Sequence, residues 1–350
     1  MKENRLLFFW VFGLLSALIL IYLTFDYQDN GGIYFIKNNQ STLFQFAAML
    51  SQWDGGNYIQ IIQNGYSNEH FFAFFPLYPG FIRAFSAVIN PVFLGISLSF
   101  ASLIIFLYFL QKYCRVKYAK QEKIITLSVL TFPSAFIFVC VYPESLFLAL
   151  TCLSAYLFFT RREYFPAVVF ASLASVTRVQ GIVFLALIII WTVRLRMSLI
   201  QKLTLSVLSL VPILVFLVYQ KIYLGSYFGF VEAQIFWQRF QVPKLTLQFD
   251  YLGFVAINNL VFAVFALVIF KYFSHKLNTF DKYYLLILLI FPIFTGSLDS
   301  YPRYLLSAYP FFVLIAQLIQ LPKVKFVYLP IVIFLQAVFL SLFVTGYWIF

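Results

Sequence analysis

From Leu6 to Phe25 the chain runs for about 20 residues without a charged side chain. At ~1.5 Å rise per residue, a helix of that length matches the hydrocarbon core of a bilayer. The pattern recurs at roughly 92–111, 203–223, 251–271, 283–298, 304–320 and 326–349. A water-soluble domain is excluded: 63% of the 350 residues are hydrophobic and 10% charged, against about 25% charged in soluble domains. The sequence therefore predicts an all-α polytopic membrane protein, a single domain over 1–350 whose first span is a retained signal anchor.

Two stretches do not fit one helix each. The 37 residues between Lys123 and Arg161 are interrupted by Tyr142-Pro143-Glu144-Ser145, and the 30 between Glu163 and Arg194 by Thr177-Arg178-Val179-Gln180-Gly181. We read each as two short crossings joined by a polar turn, which gives about eleven transmembrane helices, an N-terminus in the cytoplasm and a C-terminus outside.

The net charge of +12 can be sorted on this topology. Seventeen of the 24 basic residues fall inside with four acids, giving +13. Lys37, Arg83, Arg178, Lys221, Arg239, Lys244 and Arg303 fall outside with eight acids, giving −1. Retention of Lys and Arg on cytoplasmic loops explains the basicity, so no nucleic-acid partner is expected. Cys114, Cys140 and Cys152 lack paired spacing, and His70 and His275 are isolated, so neither a disulfide framework nor a His-based metal site is implied.

Two outside loops carry the polar residues that remain. The first, 26–91, is long; its apolar run Phe71–Ile89 is broken by Pro76, Pro79 and Arg83 and reads as interfacial or re-entrant. The second, about 224–250, carries Glu232, Gln234, Trp237, Arg239 and Asp250.

The richest constellation is Gln52-Trp53-Asp54-Gly55-Gly56-Asn57-Tyr58. A carboxylate at the membrane–water interface can serve as a general base. The two glycines let the backbone approach a ligand, and Trp53 and Tyr58 can stack on a sugar face. The alternative is an interfacial anchor in which Asp54 caps a helix. Arg178 and Arg303 stand against the positive-inside bias and require a partner. That partner is either a lipid-linked phosphate, which Arg binds in bidentate fashion, or a structural carboxylate such as Glu144, Asp299 or Glu232. Glu144 is explained equally by helix capping, by holding Arg178 and by contact with an acceptor.

Trp53-Asp54-Gly55 with Tyr58, Gly65-Tyr66 and Phe74-Phe75-Pro76-Leu77-Tyr78-Pro79 resembles the GPI mannosyltransferase II (PIG-V) family of GT-C membrane glycosyltransferases. Shorter matches follow: Tyr142-Pro143-Glu144-Ser145, Thr177-Arg178 with Gly181, Phe230-Val231-Glu232-Ala233-Gln234 with Trp237 and Arg239, and Pro302-Arg303-Tyr304 with Pro310. The short, loop-poor chain resembles the prokaryotic branch.

The resemblance implies a GT-C-like bundle in a bacterial cell membrane with an extracytoplasmic active site. It implies a polyprenyl-phosphate hexose donor, typically mannose, with Asp54 as catalytic base and Arg178 and Arg303 holding the donor phosphate. Trp53, Tyr58, Glu144, Gln180, Glu232, Gln234, Arg239 and Tyr304 are further candidate substrate contacts. No cofactor or divalent metal is implied, and the acceptor, whether lipid, protein or cell-wall glycan, is left open. A transporter or flippase for a lipid-linked glycan would also use the arginines, whereas a membrane scaffold would need neither them nor Asp54.

Overall fold

The computed structural model describes residues 4–24, 42–118, 121–237, 251–295 and 297–349. Among these residues there are sixteen α-helices and no strand. The chain opens with α1 (Asn4–Thr24), and three short helices follow: α2 (Thr42–Ala48), α3 (Asp54–Asn64) and α4 (Leu77–Phe85). Then come α5 (Pro91–Lys117), α6 (Glu122–Leu130), α7 (Glu144–Tyr156), α8 (Tyr164–Ser175) and α9 (Gln180–Val193). The second half contains α10 (Leu199–Leu224), α11 (Gly229–Phe236), α12 (Tyr251–Phe273), α13 (Thr279–Phe294), α14 (Tyr301–Leu306), α15 (Tyr309–Ile319) and α16 (Pro322–Val344).

Local chemistry sets several of these boundaries. Asn90 caps α5 by accepting from the Val92 backbone N–H at 2.9 Å, with Pro91 at the first turn where no amide partner is needed. Ser198 and Gln201 form a reciprocal capping box on α10, which ends at Gly225 in the left-handed region.

Among the described residues five helices, α1, α5, α10, α12 and α16, are long and apolar enough to cross a membrane. The other helices are shorter, from 6 residues in α14 to 16 in α13. At ~1.5 Å per residue none of these matches a ~30 Å hydrocarbon core. They are tolerated because they are enclosed by protein: α7 lies between α5 and α8, and α15 packs on α6, α12 and α13.

Lipid offers little hydrophobic incentive for helices to associate, so close approach and interhelical hydrogen bonds matter more. The Ser154 hydroxyl donates to Ala167 O at 2.7 Å, joining α7 to α8. Ser172 donates to Ser209 O at 2.6 Å, joining α8 to α10, and Ser128 donates to Phe312 O at 2.9 Å, joining α6 to α15. Gly95 lets α5 close onto Val141: a Cβ there would lie 2.7 Å from Val141 Cγ1.

A buried polar knot sits ~27 Å along α5 from Gly95, at Tyr113. The buried Asp281 carboxylate accepts from Tyr113 Oη at 3.0 Å, Tyr309 Oη at 2.5 Å, Asn278 Nδ2 at 2.7 Å and also Tyr118. It ties together α5, α13 and α15.

Each of the two ambiguous stretches is a pair of short helices, α6 with α7 and α8 with α9. The segment read as one span over 304–320 is instead broken into α14 and α15 at Ser307–Ala308. Pro310 at the start of α15 has no amide hydrogen to continue the earlier helix and restricts the residue before it. The Phe71–Ile89 run forms a 3-10 turn and then α4, whose nine residues make only ~13 Å of helix. Phe81 and Phe85 are exposed on α4 while Tyr78 and Ile82 are buried, the pattern of a helix lying in an interface.

Candidate active site

Two carboxylates each occupy the first residue of a helix. Asp54 opens α3 and Glu144 opens α7, where the unsatisfied amides and the helix dipole favour negative charge. The two helix starts are stitched together: Tyr142 Oη donates to Gln52 O at 2.9 Å, and the Val141 amide donates to Leu50 O at 2.9 Å.

Arg178 stands in the turn between α8 and α9, and Arg303 in α14. Both guanidiniums pair with the same oxygen of Glu144, Oε1. Arg303 also reaches Asp54 Oδ2 through Nη1, and its guanidinium lies over the Tyr142 ring, 4.6 Å from the centroid. Arg178 Nε donates to Gln180 Oε1 at 3.2 Å. The Glu144 side chain is 0% exposed and that of Asp54 21% exposed. Two carboxylates and two guanidiniums thus form one neutral cluster, buried on the Glu144 side and open on the Asp54 side.

The open side is a cavity of about 500 Å³, within the ordinary range of small-ligand sites. Asp54, Arg178, Gln180, Arg303 and Tyr304 line it, together with Trp53, Tyr58, Asn57, Thr177 and Gln234. The helices that deliver Asp54 and Arg303 both begin on a strained residue. Trp53 has φ 58° and ψ −120°, and Ser300 is left-handed at φ 64°. Such backbone strain in a bulky residue is uncommon and often accompanies functional sites.

Gly181 sets the approach of α9 to α8 beside Arg178, since a Cβ there would lie 1.9 Å from Ala174 O. Gly55 has a packing role as well: its missing Cβ faces Tyr142 and Val141 rather than a ligand. Beside the wall residue Trp237, His70 stacks on Phe236 of α11 at 4.7 Å, and burial holds its pKa below the ordinary histidine value.

The structure does not bring every candidate to the cavity. Glu144 does not line the wall but lies behind the two arginines. Glu232 is exposed on α11 and accepts from Ser226 Oγ at 2.5 Å, closing the turn that starts this helix. Arg239 lies outside the described residues. In the other direction, Trp348 and Asp299 join the wall, Trp348 meeting Trp53 edge-on at 5.2 Å. Trp348 had no flanking motif to mark it; only its proximity to Gly346, the turn at φ 85° after α16, hints that the chain folds back there.

A polytopic all-α membrane protein with a carboxylate–arginine cavity recessed among short helices has the form of a membrane-embedded enzyme. Residues 29–246 match the family model of mannosyltransferase (PIG-V), and the chain belongs to that family. It is an integral membrane protein and a mannosyl-transferring glycosyltransferase. The matched region contains Asp54, Glu144 and Arg178 but stops before Pro302-Arg303-Tyr304, so those later similarities lie beyond it. No curated protein and no solved structure gives a significant match.

Proposed function

We propose that the protein transfers mannose from a polyprenyl-phosphate carrier to an acceptor hydroxyl on the extracytoplasmic side, with inversion at the anomeric carbon. Asp54 takes the proton from the acceptor hydroxyl as its oxygen bonds to C1. The C1–O bond to phosphate breaks, and its electron pair leaves with the polyprenyl phosphate. Arg178 and Arg303 neutralise the charge that grows on that phosphate. Trp53, Tyr58, Gln180, Gln234 and Tyr304 are positioned on the wall to contact sugar or acceptor.

The observation that carries this reading is the meeting of Asp54 with both arginines on one cavity, from positions far apart in the chain. Exposed apolar side chains on α11, Ile235 and Phe236, adjoin Gln234 and Trp237 of the wall, a path on which a prenyl tail can remain in hydrocarbon.

The test uses full-length protein in lipid nanodiscs with polyprenyl-phosphate-[³H]mannose and membrane extract as acceptor. Wild-type protein should release polyprenyl phosphate and label an acceptor, and a folded Asp54→Asn variant should do neither. Normal transfer by that variant would remove Asp54 from the mechanism.

A further inference from the structure

Arg303 has two carboxylate partners of unequal kind. Its Nε is held by Glu144, which is wholly buried and absent from the cavity wall. Its Nη1 is held by Asp54, which is on the wall and partly exposed. An anion entering the cavity can therefore reach one partner and not the other.

We propose that the donor phosphate displaces Asp54 from Arg303 while Glu144 keeps the guanidinium in place, so that donor binding itself frees the base. The inference rests on the reading of Asp54 as base and of the arginines as phosphate ligands. In the free enzyme the Asp54–Arg303 pair engages Oδ2 of the carboxylate needed for the acceptor proton and Nη1 of the guanidinium needed for the phosphate. Exchange of one anion for another on Nη1 preserves the arginine's hydrogen bonding, whereas loss of Glu144 would leave two guanidiniums sharing a site without their buried counter-ion. Glu144 is thus a positioning residue, acting through Arg178 and Arg303.

The arrangement also fixes an order. Until phosphate arrives, Asp54 Oδ2 is held by Arg303; once it has arrived, that oxygen is released to face the acceptor. Donor binding precedes acceptor activation, and the two anions compete for one nitrogen.

Competition has a signature that neither a structural ion pair nor a plain base would give. Binding of undecaprenyl phosphate to full-length protein in neutral-lipid nanodiscs is measured for wild type, Asp54→Asn, Arg303→Gln and the double variant. Asp54→Asn should bind about fivefold more tightly than wild type while transferring nothing. In the Arg303→Gln background the same change should give little or no gain, because the contested group is gone.

A gain of equal size in both backgrounds would reduce the effect to net charge and overturn the exchange. Unchanged or weaker binding by a folded Asp54→Asn protein would overturn it too, and would leave Asp54 as base if transfer is still lost. Retained transfer would remove Asp54 as the base, and with it the reading on which the exchange rests. Glu144→Gln should weaken undecaprenyl phosphate binding whether or not Asp54 is present; if binding is unaffected, Glu144 does not position the arginines.

Discussion

The guanidinium of Arg303 rests on the ring of Tyr142, 4.6 Å from its centroid, and the hydroxyl of the same tyrosine donates to Gln52 O at 2.9 Å. One side chain thus supports the arginine with its face and fixes the turn before Asp54 with its tip. Tyr142→Phe keeps the face and leaves Gln52 O without this donor, so it should lower stability by about 1 kcal/mol and reduce transfer modestly. Tyr142→Leu should also lose the cation–π contact and weaken donor binding further. Thermal unfolding in detergent and transfer rates separate the two; equal defects would show that the ring contributes nothing.

Arg178 and Arg303 each use two nitrogens or a planar face in the cluster, geometry that an ammonium cannot reproduce. Arg178→Lys and Arg303→Lys should each reduce kcat/KM by about 100-fold although charge is conserved. Steady-state assays with polyprenyl-phosphate-mannose provide the check, and a lysine variant within a few-fold of wild type would argue for bulk charge alone.

Gly181 meets the carbonyl of Ala174 so closely that any side chain must push α9 away from α8. Gly181→Ala should cost about 1–3 kcal/mol and displace Arg178, only three residues away. A variant that unfolds at the wild-type temperature and transfers normally would show that this contact is not required.

Ser300 is left-handed and makes no side-chain cap for α14. Ser300→Gly should raise stability by about 1 kcal/mol, because glycine adopts this conformation without the Cβ penalty. The unfolding midpoint measures it; a fall would mean that the serine side chain contributes more than its strain takes away.

Asp281 is the acceptor shared by three tyrosines and Asn278, and its partner Tyr113 lies ~27 Å along α5 from Gly95, which packs on Val141. Asp281→Ala should destabilise the bundle by about 3 kcal/mol, leaving those donors without their partner. Binding of undecaprenyl phosphate by the protein that remains folded should be close to wild type. A selective loss of binding would connect the knot to the cavity, contrary to its position.

Much of this architecture is visible in the sequence because lipid permits few solutions: an uncharged run of about 20 residues can hardly be anything but a helix. The polar interruptions at Tyr142–Ser145 and Thr177–Gly181 likewise mark where helices stop. Pairing is not visible in the same way. Glu144 can be named as a candidate partner of either arginine, but that its Oε1 holds both at once, Arg303 lying 159 residues later, depends on how α7 and α14 pack. The contact between Arg303 and Asp54 spans 249 residues and was no more legible. Gly55 shows the opposite error: beside Asp54 it suggests ligand approach, yet the space it spares is filled by Tyr142.

Of the five tryptophans, Trp53, Trp237 and Trp348 wall the cavity, while Trp10 and Trp191 belong to the helical core. The protein's own ultraviolet emission is therefore weighted towards the place where substrate would enter. Occupancy can be followed without a label, by the shift and quenching of indole fluorescence as lipid-linked ligand replaces water, and Trp348→Phe would tell which wall is reporting.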